Sequence, residues 1–335
     1  MIAERATVVG AGSWGTAFSL VLADAGLDVR LWARRPELAD SINRTGRNPD
    51  YLPDVDLPPQ VTATSSVVEA LEDTDLVVLA MPAQKLRDGL VDWAPHLPDH
   101  APLVSLAKGI ELRTGCRMSE VIRQATGAAP ERVAVVSGPN LAREIAARQP
   151  AAGVVAASDA ETADLVATAC QSPWFRPYTS TDVVGAEIAG ATKNVIALAV
   201  GAAEGLGLGD NSKASVITRG LAETGRLGVA LGADEATFSG LAGVGDLIAT
   251  CMSPLSRNHR VGVGLGRGGT VTDVVAAIGQ TAEGVTSCES VLALARGAGV
   301  DVPIVESVVA MVADGQRPEL IVDALMSRQR KPETA

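Results

Sequence analysis

The chain has 335 residues, 47% hydrophobic and 20% charged, which excludes general disorder and leaves room for two domains with real cores. Its formal net charge of −11 argues against broad binding to nucleic acid or to an anionic membrane, so a phosphorylated ligand must be held by local cations. Cys116, Cys170, Cys251 and Cys288 form no CxxC pair, and His96, His100 and His259 no HxxxH spacing; no metal site is expected, and a reducing compartment suits the thiols.

The opening residues, MIAER, carry no secretory signature, and a cytoplasmic protein without membrane insertion is expected. A strand at Ala6–Val9 runs into Gly10-Ala11-Gly12-Ser13-Trp14-Gly15, and a helix-like run follows over Thr16–Ala25. A lone GxGxxG is weak evidence. Between a strand and a helix it reads as a dinucleotide-binding turn, the alternative being a glycine-rich turn with no ligand. Gly10 allows the tight turn, Gly12 lets the backbone approach a pyrophosphate, and Gly15 lets helix and strand pack closely. Ser13 and Trp14, at the helix start, should border the cofactor, where free N–H groups and the helix dipole favour phosphate.

The second strand, Val29–Trp32, leads into Arg34 and Arg35, and the first acid is Glu37, beyond Pro36. An NAD site would place an acid at this strand end to hold the ribose 2′-hydroxyl. Arg34 and Arg35 suit a 2′-phosphate, so NADP is expected over NAD, with NAD as the second choice. Otherwise the pair is a solvated charge cluster. Residues 46–60, rich in Pro and Asp, read as a long loop.

Further strand-like runs at Val61–Thr64, Leu76–Met81, Leu103–Ala107 and Val133–Ser137 alternate with helical segments, which predicts βαβ units and a parallel sheet. Ligands gather beyond the carboxyl ends of such strands. Pro82, Lys108-Gly109 and Gly138-Pro139-Asn140 stand there, and Lys108 is the cation among them. A role on an anion or carbonyl is weighed against an ordinary loop lysine. One more strand–helix–strand unit fits residues 154–179. After about residue 185 helical periodicity takes over, and the closing RQRKPETA reads as a frayed tail.

Ala186–Ala203 is long enough for about five helical turns. Between Glu187 and Glu204 it carries one formal charge, Lys193, and the uncharged runs beside it fall short of a membrane span. Either the lysine snorkels its ammonium to water, or it sits in a desolvated pocket where its proton serves chemistry. The segment by itself favours the first. Farther on, Asp246 lies between glycine-rich turns and an apolar run, and Ser256-Arg257-Asn258 joins a serine cap to donor side chains, a weak anion-site pattern. Glu283 either caps a helix or touches a cofactor.

Taken in order, GAGSWGTA (10–17), LWARR (31–35), KGIE (108–111), SGPNLARE (137–144), GATKNVIALAVG (190–201), ITRGLAE (217–223), GLAGVGDLIATC (240–251) and SRNHR (256–260) resemble one family. It is the bacterial NAD(P)-dependent glycerol-3-phosphate dehydrogenases, and the similarity runs from about Ala6 to Pro303. The resemblance implies an α/β fold: an N-terminal Rossmann-type NADP-binding domain with a mostly parallel sheet over 1–185, and an all-α substrate and catalytic domain over 186–330. It implies an active-site cleft between them and the reversible reduction of dihydroxyacetone phosphate to sn-glycerol 3-phosphate, feeding phospholipid synthesis. Lys193 becomes the catalytic acid/base. Lys108, Gly138, Asn140, Asp246, Ser256, Arg257 and Asn258 join it on the substrate. Lys108, Ala142, Arg257, Thr281 and Glu283 lie on the cofactor side, and a homodimer is the expected assembly.

Two positions depart from the family pattern. Asn140 stands where Ser or Thr is expected, which turns a hydroxyl contact into an amide contact, and Thr281 stands where an aliphatic residue is usual. With the resemblance in place the expectation for Lys193 reverses, and its ammonium should face the cleft. The alternatives are a related NADP-dependent reductase of another small hydroxy acid, which needs no phosphate anchor, and a non-catalytic NADP-binding sensor, which would show no turnover.

Overall fold

The computed structural model describes residues 3–280, 282–327 and 332. Thr281 and, apart from Pro332, the tail expected after residue 327 lie outside the described residues. Eight strands form one sheet: β1 (Arg5–Val9), β2 (Asp28–Trp32), β3 (Val61–Thr64), β4 (Leu76–Leu79), β5 (Leu103–Ser105), β6 (Val133–Ser137), β7 (Ala151–Ala157) and β8 (Phe175–Ser180). Their order is β3-β2-β1-β4-β5-β6-β7-β8, parallel throughout except for the β6–β7 pair. Helices α1 (Ser13–Asp24), α2 (Pro36–Thr45), α3 (Val67–Leu71), α4 (Ala83–Trp93), α5 (Met118–Thr126), α6 (Ala142–Ala146) and α7 (Ala160–Cys170) alternate with the strands.

A parallel strand covered on both faces reads as a continuous apolar run, and β4, LVVL, is buried at all four positions. Successive residues then serve opposite layers. Val8 and Val78 pack with Phe18 and Leu22 of α1 and Val166 of α7, whereas Val9, Val77 and Leu79 pack with Leu86, Leu90 and Trp93 of α4 and Val121 of α5. The strands β4 and β5 stop two residues short of the expected runs, yet Ala80 N still donates to Val9 O at 2.9 Å and Leu106 N to Leu79 O at 3.0 Å. The helix after the glycine turn begins at Ser13, three residues earlier than the apolar pattern suggests. Gly12 is its N-cap, in extended conformation, so Ser13 and Trp14 form its first turn.

Beyond Ser180 the described residues contain helices and no strand: α8 (Val183–Gly205), α9 (Asp210–Ala230), α10 (Asp246–Met252), α11 (Arg257–Gly266), α12 (Val271–Ile278), α13 (Glu283–Gly297), α14 (Pro303–Val312) and α15 (Pro318–Met326). Asp182 caps α8 by accepting from Gly185 N at 2.8 Å. By length and composition α8 could cross a membrane, but 83% of its most apolar window is buried inside the protein. It is a core helix: Ile188, Val195, Ile196, Leu198 and Val200 pack with Leu247 of α10, Val261 of α11, Val291 of α13 and Val305 of α14.

The helical half is tied to the sheet by a buried carboxylate. Glu187 of α8 accepts from Ser119 N at 2.7 Å, Ser119 Oγ at 2.6 Å and Arg117 Nη1 at 2.7 Å. These bonds fix α8, and with it Lys193, against the N-terminus of α5.

A second buried carboxylate makes the stability of the helical half depend on pH. Glu223 of α9 accepts from Ile304 N at 2.9 Å and from Val305 N at 3.4 Å, at the start of α14. Those donors favour the charged form, but burial outweighs them and pushes the carboxyl up to about 7. The folded chain then holds a proton that the unfolded chain releases at ordinary carboxylate pH. This contribution to stability is complete below about pH 4.5 and is lost as pH rises through about 7, on the order of 3 kcal/mol in all. Glu223→Gln keeps an oxygen for the backbone donors and does not titrate. Melting temperature followed from pH 5 to 8 should fall more steeply for the parent than for the variant; parallel profiles would remove Glu223 as the cause.

Candidate active site

Four elements converge at the carboxyl ends of β4, β5 and β6. Lys108 leaves the end of β5, Gly138 follows β6, Lys193 lies midway along α8, and Asp246 opens α10 directly after a π-helical turn at Leu241–Gly245. Such turns recur where a helix must aim a side chain into a site. Asp246 is 1% exposed and ties the group together. One of its carboxylate oxygens accepts from Lys193 Nζ at 2.6 Å and the other from Lys108 Nζ at 2.7 Å. Lys108 Nζ also donates to Gly138 O at 2.8 Å, and Lys193 Nζ to Thr250 Oγ1 at 2.7 Å. Lys193 is therefore 8% exposed and does not snorkel. Burial lowers the Lys108 ammonium to about 8, with Asp246 opposing the shift and Lys193 adding to it.

Why α8 can lie this close is written in its sequence. A side chain at Gly190 would come within 3.3 Å of Lys108 Cγ and of Ser137 Oγ. The neighbouring amides lock the frame. Asn194 Nδ2 donates to Lys108 O at 3.0 Å, Asn258 Nδ2 to Asn194 Oδ1 at 2.8 Å, and Gly284 N to Asn258 Oδ1 at 2.9 Å. Asn258 thus links α8, α11 and α13. Ser256 caps α11 by accepting from His259 N at 3.3 Å, and the following Arg257 is half-buried with no ion pair among the described residues. Burial lowers the Arg257 guanidinium, while Glu283 and Tyr51 oppose that shift. Asn140 donates to Ser137 O at 3.3 Å, and its Oδ1 is buried without a partner.

The glycine turn has the shape of a phosphate cradle. Gly10 sits at φ +120°, where a Cβ would lie 2.6 Å from Ala80 O, and around Gly12 a Cβ would meet nothing within 4 Å. No side chain caps the N-terminus of α1, so its first N–H groups are open to a ligand. Trp14 packs edge-on against Phe18 at 5.4 Å, with its Nε1 buried and unpartnered. Arg34 is exposed, and Arg35, also exposed, pairs with Asp50. Ala142 is the first residue of α6 and half-buried. The open cradle, the uncapped helix and the unpartnered indole fit a dinucleotide.

Glu283 caps α4: its Oε1 accepts from Ala83 N, the first residue of α4, at 3.2 Å. Burial raises its carboxyl, against that N–H, the Arg257 charge and the Lys108 N–H. Sequence reasoning missed Thr250, Asn194, Asn48 and Tyr51. Thr250 is four residues after Asp246 and so on the same helical face, a spacing that could have been read. Asn194 adjoins Lys193. Asn48, whose Nδ2 donates to Ala11 O at 3.0 Å and Thr16 Oγ1 at 2.8 Å, lies in a loop with no periodic signal.

Two family models match the chain: the NAD-dependent glycerol-3-phosphate dehydrogenase N-terminus over residues 5–163 and the corresponding C-terminus over 182–323. A glycerol-3-phosphate dehydrogenase [NAD(P)+] of Streptomyces coelicolor is 62% identical over 329 residues, 98% of each chain. Its counterpart in Thermobifida fusca is 57% identical over 330 residues, again 98% of each. Among solved structures, the glycerol-3-phosphate dehydrogenase of Coxiella burnetii superposes with a TM-score of 0.93 at 34% identity, over 97% of this chain and 99% of that one. On matches that span both halves and nearly its whole length, the chain belongs to the NAD-dependent glycerol-3-phosphate dehydrogenase family.

Proposed function

We propose that Lys193 is the general acid and base of this cleft, which interconverts dihydroxyacetone phosphate and sn-glycerol 3-phosphate with NAD(P)H. The observation that carries the residue roles is the pair of buried ammonium groups held by one carboxylate, Lys108–Asp246–Lys193, at 2.7 and 2.6 Å. Bound NADPH or NADH supplies the hydride for the ketone carbon. As that carbon is reduced, negative charge grows on the carbonyl oxygen. Lys193 Nζ stabilises it and delivers the proton; in the reverse direction the neutral amine takes the proton from the alcohol. Asp246 and Thr250 aim the Lys193 ammonium. Lys108 adds a second positive charge, and Gly138 O fixes its position. Asn140 offers its unpartnered amide oxygen to a substrate hydroxyl.

Arg257, beside the Ser256 cap and Asn258, anchors the phosphate. Removing it with Arg257→Leu should raise KM for dihydroxyacetone phosphate about 10- to 100-fold at saturating NADPH, the scale of charge-assisted hydrogen bonds. KM for unphosphorylated dihydroxyacetone should change little. Equal effects on the two ketones would count against the anchor.

On the cofactor side, Gly10, Gly12, Ser13, Trp14 and Gly15 receive the pyrophosphate, and Ala142, Arg257 and Glu283 border the dinucleotide. Arg34 and Arg35, with no acid at the end of β2, support a preference for NADPH. Residues 1–185 form the cofactor domain and 186–330 the substrate domain, in a cytoplasmic homodimer. Steady-state oxidation of NADPH and NADH with dihydroxyacetone phosphate tests the whole reading; binding of NADPH without turnover would make the chain a sensor instead.

A further inference from the structure

The segment between α2 and β3 is a strap held in place at several points. Leu57 N donates to Gly46 O at 2.7 Å, closing the segment on itself, and Leu52 and Leu57 are buried in the core that contains α1 and β2. Asn48, fully buried, ties it to the glycine turn through Ala11 O and to the first turns of α1 through Thr16. Two residues beyond that anchor, the strap presents Asp50, whose carboxylate accepts from Arg35 Nη2. Arg35 is the N-cap of α2, just past the carboxyl end of β2, where a dinucleotide fold meets the adenosine ribose. Arg34 beside it has no ion pair among the described residues. The strap therefore brings an acid onto Arg35, close to the strand end that carries none of its own.

We propose that Asp50 is a specificity-determining residue for the cofactor: by holding Arg35 it restrains the preference for a 2′-phosphate and lets the site accept a cofactor with a free 2′-hydroxyl. The inference rests on the dinucleotide reading of the glycine turn. A 2′-phosphate must draw Arg35 away from Asp50, and it then lies near the Asp50 carboxylate, whose charge repels it. A ribose hydroxyl meets neither penalty, and it can donate a hydrogen bond to Asp50. The two side chains are 56% and 41% exposed, so solvent screens the pair and the effect is modest.

Equilibrium dissociation constants of NADPH and NADH, measured by calorimetry at 0.15 M salt as the working condition (about 8 Å of screening length), test this. Asp50→Asn should tighten NADPH about fivefold, the scale of one exposed charge pair, and leave NADH unchanged or weaker. The tightening should vanish when Arg35→Met is added. A merely structural role for Asp50 would move both dinucleotides together, and that result, or unchanged NADPH binding, overturns the inference. If the parent protein binds neither dinucleotide, the cofactor reading falls and this inference with it; if it binds both and only the Asp50→Asn shift fails, the inference alone falls.

Discussion

Lys193→Met is expected to lower kcat for dihydroxyacetone phosphate reduction by about 100- to 10,000-fold, the range for a positioned general acid, with NADPH affinity nearly unchanged. Methionine keeps most of the stem that packs in α8, and it removes the ammonium that Asp246 and Thr250 aim at 2.6 and 2.7 Å. Asp246 keeps one cation, because Lys108 still donates to its other oxygen at 2.7 Å. The buried carboxylate is thus not orphaned, and the loss should be in chemistry more than in folding. Lys193→Arg tests geometry: the charge stays, but the group is bulkier and does not give up its proton, so kcat should remain low. Near-normal turnover in the methionine variant would take the acid role away from Lys193 and leave Lys108, whose ammonium burial has lowered to about 8, as the other proton donor in the cleft.

How much of the fold and of the cleft is legible in the sequence follows from the range over which each signal acts. The core of β1 and the whole of β4 are short apolar runs, β2 alternates the buried Val29 and Leu31 with less buried positions, and the glycine turn sits where β1 meets α1, so local pattern places them. The cleft is different. Lys108 and Asp246 are 138 residues apart, and Glu283 caps the start of α4 from 200 residues away. No periodicity connects such positions; for most of these residues the family blocks supplied the connection. Lys193 shows the limit most plainly. An apolar helix with one lysine favours a snorkelling stem, because the segment contains nothing that announces the carboxylate it meets. Asp50 and Asn48 give no sign of their roles for a related reason. They act from a loop whose composition says only that it turns, and their partners, Arg35 and Ala11, lie on other elements.

The largest loss of stability should come from Asp246→Asn, about 3–5 kcal/mol, the usual cost of leaving buried charge unpaired. One carboxylate, 1% exposed, compensates two ammonium groups whose side chains are 13% and 9% exposed. The amide preserves shape and can accept from one lysine, but it removes the negative charge that makes both cations tolerable in that space. Activity should fall as well: Thr250 and Gly138 O each still hold one ammonium, but no single carboxylate aims the two together. Packing and charge are separated by asking whether removal of the cations restores what the amide lost. Adding Lys108→Met and Lys193→Met to Asp246→Asn leaves no buried charge in the array, and such replacements are often neutral or stabilising. The triple variant should therefore unfold at higher denaturant than Asp246→Asn alone, while remaining inactive. If the single variant unfolds with the parent protein, the two ammonium groups find enough compensation elsewhere, and Asp246 acts on catalysis alone. If the triple variant is no more stable than the single one, the cost lies in the packing around α10 and the charge argument fails.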